Sequence, residues 1–383
     1  MSRKYTLVSG AFKNLGDFLI SEKSKEMIDK FLRPASSLIL KRNEDFEPYL
    51  SDINDTDAII ICGGPGYNTR FYGGVYPFLK LSDRITVPII PLGLGWRGYP
   101  LYHSERFQFS AESVAAIRRI HKGIANSSTR DEITRQILAR YGVANVINTG
   151  CPTLFDFDEI EKKTRFRIPS DVEQIAVSMA QKPLLHGQNL RLLESLREAF
   201  PKSGVVAVFH RGIDADKYTS KKEGAALRSL VKTVKSHGFE IIDAAYNLDS
   251  IKVYNDIDFH VGYRVHAHAY CVSQRVPTFL LWEDGRGQAM SQTLQLPGIR
   301  ARNETIIDGL PVSTKVKHYL AKGERIIRGE PGPNRSAISQ MMQMIHNQID
   351  NGFEMFEHTP QRIDKLFSRL QLFFQSNEKA LYS

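Results

Sequence analysis

Apolar residues follow two alternating rhythms along this chain. One is a short, nearly continuous apolar run that stops at a turn residue, as at 5–9, 37–40, 57–62, 87–92 and 146–149. Runs of this length between turns predict buried parallel strands. The other is a longer stretch with apolar residues three or four positions apart, which predicts helices over 17–33 and 111–125. A further helix is expected to open within Ser127–Glu132, where Thr129 as N-cap and Glu132 three positions on would form a capping box. Residues 155–173 are charged, poor in pattern, and read as a linker. The alternation then restarts with strands predicted over 174–179, 205–209, 239–243, 259–261 and 276–282. Helices are predicted between them over 188–200, 225–237, 250–255 and 265–273. Two amphipathic helices, 335–349 and 360–374, follow; terminal helices of this kind often cross back onto a first domain.

Strand, glycine turn and helix in repetition imply parallel sheets with helices on both faces. At 383 residues the chain is too long for one core and suits two domains. The expected fold class is therefore α/β, with two Rossmann-like domains facing across a cleft in the arrangement called GT-B. The N-terminal domain is expected over 1–160, the C-terminal domain over 174–330, and the terminal helices over 331–383. Ligands of such sheets bind beyond the carboxyl ends of the strands. Gly10–Asp17, Gly63–Asn68, Gly93–Gly98 and Arg130–Asp131 should collect on that edge of the first domain. Neither a Walker phosphate loop nor a complete Gly-x-Gly-x-x-Gly is present.

Composition narrows the partners. The formal net charge of +9 favours anionic ligands and loose attraction to an anionic membrane face. The basic residues are spread along the chain without an aromatic-interleaved stripe, so no nucleic acid is expected. Cys62, Cys151 and Cys271 lack metal spacing and read as reduced core thiols. No metal and no cofactor are expected. No apolar run reaches membrane-spanning length, and the N-terminus shows no signal-peptide pattern. The expected location is the cytoplasm, at most against the inner face of the membrane. The sequence leaves the oligomeric state open.

The densest chemistry lies in Asp256–Arg286, which reads as strand, tight turn, helix, strand and loop. Gly262 breaks the first strand, and Arg264 and His266 enter the first helical turn. A helix N-terminus suits an anion. Arg264 adds a permanent forked cation there, and His266 a group able to exchange a proton near neutral pH. His268 is two positions on, so a helix turns it to nearly the opposite side, packed or facing solvent. Tyr270, four positions after His266, shares its face and could hydrogen-bond it. His210 and Arg211 sit at another strand end of the same domain and offer a second anion contact.

Five pieces, in order, resemble the polysaccharide pyruvyl transferases. They are Gly10-Ala-Phe-Lys-Asn-Leu-Gly-Asp, Gly63-Gly-Pro-Gly, Ser128-Thr-Arg-Asp, Thr149-Gly-Cys-Pro-Thr, and Asp258-Phe-His-Val-Gly-Tyr-Arg-Val-His-Ala with the Val276-Pro strand. Pro65 stands where the family has a third glycine, and Cys151 where it has an aspartate. The resemblance implies transfer of the pyruvyl group of phosphoenolpyruvate onto two hydroxyls of a sugar, as a ketal with phosphate release. The acceptor would be a sugar or lipid-linked glycan destined for a cell-surface polysaccharide or exopolysaccharide. Arg264, Arg130 and Arg211 would hold the carboxylate and phosphate, and His266 would act as acid and base. Asp17 or Asp131 would support His266. Asn14, Gly63, Gly64, Asp131 and His210 are further substrate-binding candidates. Tyr67 or Trp96 would stack on the sugar. The alternative is a glycosyltransferase using a nucleotide sugar on the same fold.

Overall fold

The computed structural model describes residues 3–304 and 331–381, with positions 312, 316, 319, 320 and 323. The expected domain end at 330 lies outside the described residues. The strands form where the apolar runs are densest. In the strand Ala58–Cys62 every position is buried, as expected of a strand covered on both faces. It is β3 of a parallel sheet ordered β2-β1-β3-β4, with β1 Lys4–Ser9, β2 Ser36–Lys41 and β4 Ile89–Leu92. Leu94, just past β4, bridges in parallel to Thr129. That bridge attaches the pair β5 Ser127–Thr129 and β6 Val146–Asn148 to the same edge.

The second sheet is ordered β12-β11-β10-β7-β8-β9, and all its pairings are parallel. Its strands are β7 Gln174–Ser178, β8 Gly204–Phe209, β9 Glu240–Asp243, β10 Phe259–Gly262, β11 Thr278–Trp282 and β12 Gly298–Arg300. Read from β9, the order runs 3-2-1-4-5-6, the doubly wound arrangement, which reverses between β7 and β10. In the first sheet the reversal falls between β1 and β3. Both points are where such folds open a ligand crevice.

The two sheets are tied together. Leu15 N–H donates to His210 O at 2.9 Å, and Gly285 N–H donates to Gly98 O at 3.2 Å. The Tyr102 hydroxyl donates to Trp282 O at 2.7 Å. The helix Thr359–Ser376 returns to the first sheet, where Arg369 Nη1 donates to Asn148 O at 3.5 Å. Asn377 grips the main chain of Asn126 through both its amide nitrogen and oxygen. Among the described residues no helix is long and apolar enough to cross a membrane.

Two local expectations are corrected. Thr129 is not a helix N-cap: it is pinned as strand by Leu94 and by β6, and Asp131 caps the helix Glu132–Arg140 through Thr134 N–H at 2.7 Å. Residues 155–173 are not a bare linker. They hold the short helix Phe157–Glu161, and Phe155 and Phe166 are buried in the core. Cys62, Cys151 and Cys271 are free and buried, and burial pushes the Cys62 thiol up to about 12.

Candidate active site

The turn from β10 into the helix Val265–Ser273 is built at the second reversal point. Gly262 has φ +150°, and a Cβ there would lie 2.4 Å from Ser178 O, so only glycine lets β10 run this close to the end of β7. Ser178 Oγ accepts from Arg264 N–H at 3.0 Å and meets His260 Nε2 at 2.8 Å. Arg264 Nε donates to Met179 O at 3.0 Å, which aims the guanidinium along the strand ends. Its Nη1 lies 3.7 Å from Glu283 Oε2, too far for a tight ion pair. Burial lowers its pKa, and Glu283 opposes that change.

His266 is the second residue of this helix and is buried. Burial and the nearby Arg130, Arg286 and Arg264 push its pKa down to about 3, so the ring is neutral at pH 7. The first domain meets it directly: a Cβ on Gly16 would lie 2.3 Å from His266 Nδ1. His268 turns away, as its spacing predicts, into a packed site where its Nδ1 meets Thr278 Oγ1 at 2.9 Å. Tyr270 does not reach His266; its hydroxyl donates to Asn255 Oδ1 at 2.8 Å.

The first domain contributes Arg130, which is buried and passes across the backbone of Gly95. A Cβ there would sit 2.0 Å from Arg130 Nε. Arg130 Nε donates to Asp131 Oδ2 at 3.1 Å and Nη2 to Trp96 O at 2.5 Å. Arg130 Nη1, Arg264 Nη2, His266 Nε2 and Glu283 Oε1 are all buried and have no hydrogen-bond partner among the described residues. All four residues line one small cavity of about 40 Å³, together with Asn14, His210 and Arg286. Arg264, Glu283, Asp284 and Arg286 also line a larger cavity of about 580 Å³. Arg286 is locked on Asp284 by paired bonds, Nε to Oδ1 at 2.9 Å and Nη2 to Oδ2 at 2.8 Å. The Asp284 carboxylate raises the pKa of Arg286, so the pair stays charged.

The remaining sequence candidates separate. Arg211 lines the large cavity. His210 lines the small one, but its Nε2 is engaged by the Tyr254 hydroxyl at 2.7 Å, and burial holds it neutral, so it gives no cationic contact. Asp131 is a helix cap and a partner of Arg130 rather than a cavity residue. Asp17, Gly63 and Gly64 line a separate niche with Arg42 and Gly10 at the first reversal point, and Pro65 lines both that niche and the large cavity. Burial raises the Asp17 carboxyl, against the pull of Arg42 and Asn14. Tyr67 and Trp96 are unavailable for stacking on a sugar. Tyr67 is stacked on Phe71, and Trp96 is wedged against Gly285, whose Cβ would fall 2.3 Å from the indole.

The family profile described as Polysaccharide pyruvyl transferase matches residues 14–285. The chain belongs to the polysaccharide pyruvyl transferase family. Membership makes it a transferase of polysaccharide biosynthesis. No curated protein matches the chain. Among solved structures, the S. aureus MnaA–UDP co-structure is similar with a TM-score of 0.51 at 12% identity, over 94% of this chain and 95% of that one. UDP-GlcNAc 2-epimerase from Neisseria meningitidis bound to UDP-GlcNAc gives a TM-score of 0.48 at 12% identity, over 99% and 100% of the two chains. At these identities the first likeness speaks for the fold alone, two Rossmann-like domains in the GT-B arrangement.

The family match ends at Gly285, one residue short of Arg286. Arg286, Asp284 and Glu283 are functional candidates that the sequence reading passed over, although they end the same quoted stretch. The signal was there: they follow the carboxyl end of β11, where parallel sheets collect ligands. Lys13 was passed over too. It reaches from the family's opening loop to the second domain, with Nζ 2.8 Å from Asp216 Oδ2 and 3.0 Å from Thr219 Oγ1.

Proposed function

We propose that this transferase moves the pyruvyl group of phosphoenolpyruvate onto two hydroxyls of one sugar of a cell-surface glycan or its precursor. The observation that carries this reading is the convergence of Arg130 Nη1, Arg264 Nη2 and His266 Nε2 on one small cavity, each buried and unpartnered among the described residues. Buried donors without acceptors are costly and mark a place for an external anion. A carboxylate or phosphate oxygen seated there satisfies both guanidinium groups, and the rest of the donor extends into the large cavity beside Arg286 and Arg211.

The chemistry then uses His266. In the resting site burial, and after it the surrounding cations, oppose its protonation. A bound phosphate offsets those charges and raises the pKa of the imidazole, so acid function appears only once the donor is seated. The protonated His266 gives its proton to the methylene carbon of the donor. The first sugar hydroxyl forms a C–O bond to the central carbon and loses its proton to the now neutral imidazole. The second hydroxyl forms the other C–O bond as the phosphate C–O bond breaks, and its proton leaves with inorganic phosphate. One proton enters the methyl group, one departs with phosphate, and the ketal closes without an oxidant. The protein is incubated with phosphoenolpyruvate and a panel of free, nucleotide-linked and lipid-linked sugars. Phosphate release coupled to the mass gain of one pyruvyl ketal is the expected result. Nucleotide release from a nucleotide sugar, with phosphoenolpyruvate untouched, would replace this reading with glycosyl transfer.

A further inference from the structure

Beyond the large cavity, the first domain carries a second one of about 410 Å³. Asn68, Thr69, Arg70, Arg97, Tyr99 and Phe107 line it, and no acidic side chain is among the described residues that do. Arg97 and Tyr99 line the large cavity as well, so the two spaces share a wall. That wall is fixed to the reaction centre. Gly98 has φ +82°, and a Cβ there would meet Arg286 Cγ and Asp284 Oδ1 at 2.7 Å. Only a glycine allows the turn Arg97–Tyr99 to rest on the Arg286–Asp284 pair, and Gly285 N–H ties it down through Gly98 O. A ligand reaching the second cavity from the reaction centre therefore passes over a rigid sill.

We infer that this second cavity is an acceptor subsite that receives an anionic group attached to the sugar being modified. The inference rests on the proposed pyruvyl transfer and adds the character of the acceptor. A neutral monosaccharide needs no cation here, and about 410 Å³ beside the large cavity leaves room for a further group on the acceptor. Arg70 and Arg97 supply two forked donors with no carboxylate to balance them in this lining, an arrangement suited to phosphate or carboxylate oxygens. Asn68 and Thr69 add uncharged polar positions for the intervening hydroxyls, and Tyr99 and Phe107 an apolar wall for a ring face. The shared chemistry is an anion one sugar away from the ketal, either a phosphate ester or diphosphate on the anomeric carbon or the carboxylate of a neighbouring uronic acid.

Arg70 separates this subsite from the reaction centre, because it lines the second cavity and not the first. The test compares wild type with Arg70→Ala on glucose, galactose and mannose, each as free sugar, as the 1-phosphate, and linked to glucuronic acid. Binding is measured by calorimetry without donor, and KM and kcat are measured with phosphoenolpyruvate where turnover occurs. The expected result is at least one anionic form that binds wild type tighter than its free sugar. Arg70→Ala should weaken that form about tenfold, the size of one lost charge-assisted contact, and leave the free sugar and the KM for phosphoenolpyruvate unchanged. Preference for the 1-phosphate identifies the anomeric phosphate, and preference for the uronic disaccharide identifies the carboxylate. Equal binding of anionic and free forms, or equal losses for both in Arg70→Ala, overturns the subsite. Absence of pyruvyl transfer with the anion preference intact would instead overturn the donor assignment and leave the subsite standing.

Discussion

Arg264 and His266 each keep a buried nitrogen without a hydrogen-bond partner among the described residues, and both line the small cavity with Arg130. Arg264→Lys keeps the charge and loses the fork, and with it the bond from Nε to Met179 O. The expected outcome is a fall in kcat/KM of about 10²-fold with a thermal midpoint within a few degrees of wild type, read from paired kinetics and melting. His266→Ala should lower turnover by roughly 10²–10⁴-fold, the scale of a lost acid–base group. His268→Ala should leave turnover near normal but destabilise the fold by about 1–3 kcal/mol, because it leaves a gap and strips Thr278 of a partner. Equal kinetic effects from the two would undo the assignment. The same pair sets a pH dependence. Burial depresses both pKa values to about 3, against 6.5 for the free side chain. Between those values the unfolded state binds the extra protons, so stability rises with pH across that window. The contribution is fully present above about 6.5 and lost progressively as pH falls toward 3. Urea midpoints measured from pH 7 to 4 should fall, and fall less in His268→Asn.

At the scale of elements, the site is made by two helices meeting end to side. The first helix, Leu15–Leu32, starts against Val265–Ser273, with Gly16 where any side chain would strike the imidazole. Gly16→Ala therefore drives a methyl into His266. The expected outcome is a loss of about 1–3 kcal/mol from overpacking, together with a large fall in kcat as His266 is displaced. Gly64→Ala is the informative contrast. Its Cβ would meet nothing within 4 Å, and its cost comes only from φ +82°. That variant should lose about 1 kcal/mol or somewhat more and keep most of its turnover. Chemical denaturation and initial rates on both variants separate a clash at the reaction centre from simple backbone strain.

The whole molecule places two sheet reversal points opposite one another and fastens them through a shared hydrophobic core and polar ties. Lys13 is among the most consequential, a nearly fully buried first-domain lysine held by Asp216 and Thr219 of the loop that carries Arg211. Lys13→Ala should release that loop. Hydrogen exchange over 211–220 should speed up, and the KM for phosphoenolpyruvate should rise several-fold, roughly the scale of one partly exposed ion pair, while kcat changes little. Unchanged exchange in that loop would show that the lysine does not hold it. In wild type, phosphoenolpyruvate alone should slow exchange at the turns around Arg211 and Arg264, and the turns at Gly10 and Gly63 should respond chiefly to acceptor.

The sequence by itself determined the alternation of strands and helices, the parallel sheets, the glycine-edged strand ends and the locus around Arg264 and His266. These are local consequences: hydrophobic period and turn chemistry act within a few residues, and a two-residue step along any helix turns His268 away from the side of His266. Tertiary structure alone decided which strand ends oppose each other. That choice wedged Trp96 against Gly285, set Gly16 against His266, and brought Arg130 and Arg286 to the same cavity, while packing within the second domain spent His210 on Tyr254. The physical reason is that burial and partnership belong to pairs of residues up to hundreds of positions apart. No pattern along one segment records what will be packed against it.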